Sequence, residues 1–144
     1  MRLNSWFFPL LLVLFNHAVS AQDNRQLVPM PEPMIDHMLA NMRDHLLALE
    51  QITRYLANQQ YEQAAEVAEN RLGMSSLQSH GASHMARVMP EQMAATGTAM
   101  HRAASRFALA ARDAELEGGL NKAFAALSDV MTQCNACHSA YRVH

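Results

Sequence analysis

Apolar residues recur at intervals of three and four along most of the chain, the spacing that puts side chains on one face of an α-helix. Four segments show it: residues 34–57, 61–72, 90–116, and from 120 towards the C-terminus. No segment alternates apolar and polar residues and β-branched residues are sparse, so we expect no strands. Four amphipathic helices with short first and third connections predict an all-α fold, an antiparallel four-helix bundle.

The predicted apolar faces of the long helices differ in residue size. The face of the first helix comprises Ile35, Met38, Met42, His45, Leu49, Ile52 and Leu56. The face of the third comprises Met93, Gly97, Met100, Ala104, Phe107, Ala111 and Ala114, and that of the last Leu120, Phe124, Leu127, Met131, Cys134 and His138. Because four of the seven residues on the third face are Gly or Ala, this helix permits close approach of a neighbour or a cofactor. Small residues bury little area, so a large cofactor would complete the core.

Polar and glycine-rich segments separate the helices. Asn58-Gln59-Gln60 ends the first helix, and Gly73 is placed to end the second as a left-handed C-cap. Residues 74–89 are rich in Ser, Gly and His and predict a long crossover loop with room for a short helical turn. Pro90 fits the first turn of the third helix, and Glu117-Gly118-Gly119 breaks it from the fourth.

The N-terminal 21 residues have the pattern of a secretory signal peptide. Arg2 gives the positive start, residues 6–15 an apolar stretch, and Val19-Ser20-Ala21 a cleavage site. An apolar stretch of about ten residues is short for a bilayer span, which takes ~20; an uncleaved anchor is the alternative. We expect a periplasmic protein that begins near Gln22 and keeps no membrane segment, with three prolines making residues 22–33 an extended lead-in.

The charge balance argues against nucleic-acid binding. The chain has 11 Lys and Arg against 13 Asp and Glu, and 10 basic residues remain once Arg2 is removed (11 − 1). No Lys/Arg cluster is present to neutralise phosphates. The expected partners are therefore other proteins.

Cys134-Asn135-Ala136-Cys137-His138 is the C-x-x-C-H pattern of c-type haem attachment. Residues three apart share a helix face, so both thiols reach the vinyl groups on one haem edge. His138 then serves as the proximal iron ligand. The alternative is a redox dithiol, which typically lies in a βαβ unit at a helix N-terminus. This motif instead lies at the end of a C-terminal helix. We predict one haem c per chain, which makes residues 34–144 a haem domain.

The segment from Cys134 to Arg142 at the end of a fourth helix resembles the cytochrome c′ family. Residues 61–65, Tyr-Glu-Gln-Ala-Ala, are similar to the start of that family's second helix. The resemblance implies a four-helix bundle with haem near one end, commonly a homodimer. It also implies that Arg142 lies close to the proximal histidine; a helix-capping role for this arginine is compatible.

The sixth iron position decides the function, since Met or His there suits electron transfer and an open site suits gas binding. In an up-down bundle the last helix's end faces the first helix's beginning, which brings Met38, Met42 and His45 into range. Asn41-Met42-Arg43-Asp44 resembles the stretch around the axial methionine in the low-spin branch of the cytochrome c′ family. We therefore expect Met42 as distal ligand, with His45 as alternative. The other interpretations are core packing of Met42, another ligand such as His37 or Met38, and an open site. Arg43 is a candidate partner of a propionate, or is simply solvated.

The middle of the chain is rich in soft metal ligands, which allows a copper site. These residues are His80, His84, Met85, Met89, Met93, Met100 and His101. Core methionines and exposed loop histidines are the simpler interpretation. No acid, base or nucleophile set indicates an enzyme. The sequence thus predicts a periplasmic monohaem cytochrome that carries single electrons; the alternatives are a five-coordinate cytochrome c′ binding NO or CO, and a copper carrier.

Overall fold

The computed structural model describes residues 22–117 and 119–144, so the predicted signal peptide lies outside the described residues. The helices are α1 (Glu32–Ala57), α2 (Tyr61–Arg71), α3 (Ala82–Met85), α4 (Glu91–Glu117) and α5 (Leu120–Ala140), with a 3-10 turn at Met74–Ser76. Two short strands, β1 (Gln26–Leu27) and β2 (Tyr141–Arg142), complete the described part. The prediction of an all-α fold is confirmed. Over the described ranges, none of the helices combines the length and apolar character that crossing a membrane requires.

Helix α1 begins at Glu32, two residues earlier than the sequence indicated. Pro33 lies in its first turn, where a proline's missing N–H has no intrahelical partner to lose. Glu32 adds a negative charge at the positive end of the helix dipole. The extended lead-in therefore ends at Pro31 and not at residue 33.

Gly73 does not form the predicted left-handed cap. Leu72 caps α2, and the φ angle of Gly73 is −76°. The glycine is needed for space, because a Cβ there would lie 2.5 Å from Glu69 Oε2 and 2.8 Å from Glu69 Cα. The left-handed glycine is instead Gly81, at φ 61°.

The long helices pack in the order α1 on α2, α2 on α4 and α4 on α5. They enclose a cluster of buried residues that we call the alanine core. It comprises Ala48, Ile52, Leu56, Ala64, Ala65, Ala68, Leu72, Met100, Ala103, Ala104, Phe107, Ala108, Ala111, Ala114, Ala123, Leu127 and Val130. With so many small residues, the backbones of α2, α4 and α5 come close together, as the predicted face of α4 required.

The predicted apolar face of α5 is wrong at Phe124 and Met131. Phe124 is 47% exposed and Met131 44% exposed, although both were assigned to the core. The buried residues are Ala123, Leu127 and Val130, which follow the same three-four spacing from a different start. Their small size lets α5 pack closely against α4.

A second cluster, which we call the methionine core, lies at the other end of α1 and α5. Val28, Met38, Met85 and Met93 are buried in it, and the half-buried residues around them are Met30, Met34, Met42, Met89, Cys137, Tyr141 and Val143. The N-terminal segment closes this end through a parallel pairing of β1 with β2, with Gln26 opposite Tyr141. The Val28 N–H extends the pairing to the Arg142 carbonyl at 2.8 Å. The expectation of no strands is therefore wrong at this one place.

Candidate cofactor site

A cavity of about 410 Å³ opens into the methionine core, between α1, residues 80–89, α4 and the end of α5. Its volume is within the range of small-molecule and cofactor sites. Six methionines contribute to its wall: Met38, Met42, Met85, Met89, Met93 and Met100. Thioether side chains are flexible and polarisable, so they adapt to a large apolar guest.

The C-x-x-C-H motif occupies the last two turns of α5. Cys137 and His138 line the cavity, while Cys134 packs against the alanine core. The two thiols are half-buried and are not joined in a disulfide. Burial raises the pKa of both Cys134 and Cys137, which keeps them protonated near neutral pH. Protonated thiols at a helix C-terminus are poor nucleophiles, which disfavours the redox-dithiol interpretation.

Both candidates for the sixth iron position lie on α1 and line this same cavity. Met42 is half-buried, and His45 is buried with 8% of its surface exposed. Among the other candidates, Met38 lines the cavity, whereas His37 is exposed and has Nε2 2.9 Å from the His80 carbonyl oxygen. Arg43 is exposed and is not part of the cavity wall.

Three buried histidines form a cluster on one side of the cavity. The ring centroids of His45 and His80 are 4.9 Å apart, those of His80 and His101 5.4 Å, and those of His45 and His101 6.2 Å. His101 Nδ1 donates to the Leu72 carbonyl at 2.7 Å. Ser76 Oγ lies 3.3 Å from His80 Nδ1. These contacts connect the rings of His101 and His80 to residues 72–76.

The sequence placed His80 and His84 in an exposed loop, but His80 is buried, and His84 is exposed and lies in α3. His80 is 9% exposed, because the turn around Ser76 folds it inward. His45 was recognised as a histidine on an apolar face that needs a partner. No sequence signal joined it to His80 and His101, since their proximity depends on the path of residues 72–82.

The histidine cluster is neutral near pH 7. Burial, followed by the neighbouring His80 and His101, lowers the pKa of His45 to about 4. Burial also lowers the pKa values of His80 and His101. Neutral imidazoles offer one free nitrogen lone pair each, as ligand or hydrogen-bond acceptor.

Two buried side-chain nitrogens in the described residues have no hydrogen-bond partner: His45 Nε2 and Arg142 Nε. Both residues line the cavity. Arg142 Nε lies 3.7 Å from Asp23 Oδ2, an ion-pair distance that is too long for a hydrogen bond. Buried polar atoms almost always have a hydrogen-bond partner. A polar group bound in the cavity would supply the partner that each of these nitrogens lacks.

Within residues 22–117 and 119–144, no set of three or more His, Cys, Asp and Glu side chains is arranged to hold a metal ion. A haem iron needs fewer ligands from the protein, because the porphyrin supplies four ligands and the chain would supply only the axial ones. Comparisons of the chain with family models, with curated proteins and with solved structures found no match.

Proposed function

We propose that this chain is a periplasmic monohaem c-type cytochrome that carries single electrons, with its long helices in an antiparallel four-helix bundle like that of cytochrome c′. Cys134 and Cys137 would form the thioether bonds to haem, and His138 would be the proximal ligand. The observation that carries the proposal is the cavity: it brings Cys137 and His138 to the same space as Met42.

The cavity's residues fit a haem. The methionine wall suits a large flat apolar ring, and the orphaned nitrogens of His45 and Arg142 suit its polar parts. Arg142 is placed to meet a propionate, since a guanidinium Nε–H pairs well with a carboxylate. Haem supplies an iron that exchanges one electron between the ferric and ferrous states. The chain's part is to hold the ring, exclude water from it and set its potential.

Met42 is the distal ligand in this proposal. It lies one turn before His45 on α1 and faces the cavity that His138 lines from α5. A thioether ligand favours ferrous iron and gives a low-spin centre suited to electron transfer. The orphaned Nε2 makes His45 the alternative ligand, or a hydrogen-bond donor beside the iron.

The first experiment asks whether haem is attached. The full chain is expressed in a host that matures c-type cytochromes, and the purified protein is weighed and assayed by pyridine haemochrome. One covalent haem per chain is the expected result. A Cys137→Ala variant should lose one thioether bond, and a wild-type protein without covalent haem would overturn the proposal.

The second experiment asks what occupies the sixth position. The reduced wild-type protein should show sharp low-spin bands and little change with CO. Met42→Ala should become high-spin and bind CO, whereas Met131→Ala, an exposed methionine on α5, should behave as wild type. A Met42→Ala protein that stays low-spin would assign the ligand to another residue, tested next with His45→Leu. Ready CO binding by the wild type would favour the gas-binding alternative, and copper binding without covalent haem would favour the copper carrier.

A further inference from the structure

We propose that residues 23–28, the N-terminal strap, are part of the proximal side of the haem site, where Arg25 and Asp23 set the reduction potential through the end of α5. This inference rests on the proposed haem at His138. The sequence alone treated these residues as a lead-in without function.

The strap is fixed to the chain directly after the haem motif. Gln26 pairs with Tyr141 and Leu27 with Arg142, and the Val28 N–H donates to the Arg142 carbonyl at 2.8 Å. Val28 is 1% exposed and packs in the methionine core. The strap is thus held by backbone hydrogen bonds and by a buried side chain.

Arg25 reaches from the strap to the proximal histidine. Its Nη1 donates to the His138 carbonyl at 3.4 Å. His138 lies in the last turn of α5, where carbonyls lack the N–H partners that a continuing helix would provide. A cationic side chain is a favourable cap for such carbonyls. The sequence suggested Arg142 for that role, but Arg142 Nη1 donates to the His144 carbonyl instead.

Asp23 balances the two arginines around this turn. Its carboxylate accepts from Arg25 Nε at 2.9 Å and from Arg25 Nη2 at 2.7 Å, and lies 3.7 Å from Arg142 Nε. These hydrogen bonds hold the pKa of Asp23 well below its usual range. At neutral pH these three side chains therefore comprise two positive charges and one negative charge, beside the histidine proposed to bind iron.

This charge arrangement acts on the iron in a defined direction. Ferric haem has one more positive charge than ferrous haem, so a nearby cation disfavours the ferric state and raises the potential. Removing Arg25 should lower the potential, and removing the charge of Asp23 should raise it. Arg25 is therefore a positioning residue that acts through the His138 turn and through its field.

The test compares potentials of the purified haem proteins at low ionic strength, where screening is weak. Arg25→Ala should shift the ferric/ferrous equilibrium about threefold towards ferric, where a tenfold shift equals 59 mV for one electron. Asp23→Asn should shift it the other way, and Arg25→Lys should restore most of the wild-type value. Arg54→Ala, an exposed arginine at the far end of α1, is the matched control and should change nothing.

The outcomes separate this inference from the proposed function. A wild-type chain without covalent haem would remove the proposed function and, with it, the basis of the strap proposal. If haem is attached and the Arg25→Ala and Asp23→Asn proteins share the wild-type potential, the strap has no role in tuning and the inference is wrong. A loss of thermal stability in these variants with no change in potential would likewise overturn it, by showing a structural role alone.

Discussion

The alanine core and the methionine core share α1, α4 and α5 but are packed differently. In the alanine core, small residues pack α2 against α4 and α4 against α5, and Ala104, Phe107 and Ala111 are fully buried. In the methionine core, methionine side chains surround a cavity of about 410 Å³, and Met42 and Met89 remain half-buried. One end is packed by the chain itself, and the other retains a cavity.

The largest predicted effect tests this difference in packing. Phe107→Ala in the alanine core should lower the free energy of unfolding by about 3–5 kcal/mol, because the close-packed helices leave a cavity behind. Met93→Ala, measured in the haem-free chain, should cost about 2 kcal/mol or less, since Met93 already lines a cavity. Urea unfolding of the wild type and of both variants measures the two losses in the free energy of unfolding. Equal losses would show that the methionine core is as tightly packed as the alanine core.

The second prediction concerns acid, which should destabilise the folded chain at the histidine cluster beside the cavity. The pKa of His45 is about 4 in the folded chain against 6.5 as the ordinary value, so the unfolded chain takes up the proton first. The stability that neutral His45 contributes is complete above pH 6.5 and is lost as the pH falls towards 4. The loss for this group is about 3 kcal/mol, and the lowered pKa values of His80 and His101 act in the same direction.

Urea unfolding of the haem-free chain at pH 7 and pH 4.5 measures this loss. His45→Leu should remove most of it, while the control His84→Leu, an exposed histidine, should not. An unchanged acid loss in His45→Leu would mean that the histidine cluster is not the acid-sensitive part of the chain.

The two cores also differ in how well the sequence predicts them. The face of α4 was predicted because Ala104, Phe107 and Ala111 repeat at helical spacing in a long segment. The face of α5 was misassigned at Phe124 and Met131 because the predicted and the observed sets share Leu127 and Cys134, and helical spacing alone allows either set. The smaller residues of α5 are the buried ones because α4 approaches closely. That approach is a tertiary contact, and a single helix has no local signal for it.

At the methionine core, the local sequence pattern predicted the haem motif and the residues of α1 that face it. It did not predict the residues that lie beside them. Helix length and direction brought Met38, Met42 and His45 into range of His138, and the resemblance selected Met42. The strap was missed because two-residue strands have no periodic signal, and the pairing of residue 26 with residue 141 joins segments that are far apart in the sequence. His80 was missed because its burial depends on a turn around Ser76.

The smallest predicted effect distinguishes the two states of the methionine core. Gly97 lies within α4 and on the cavity wall, and a Cβ there would meet no atom of the described chain within 4 Å. In the haem-free chain, Gly97→Ala should therefore raise the free energy of unfolding by about 0.5–1 kcal/mol, since alanine restricts the unfolded backbone and favours the helix. With haem attached, the same methyl group would compete for space with the ring, and the gain should vanish or reverse.

The matched control is Ala95→Gly, an exposed position on α4, which should cost about 0.5–1 kcal/mol in both forms. An equal gain from Gly97→Ala in both forms would show that the bound group does not reach this side of the cavity, and would move it towards α1 and the histidine cluster.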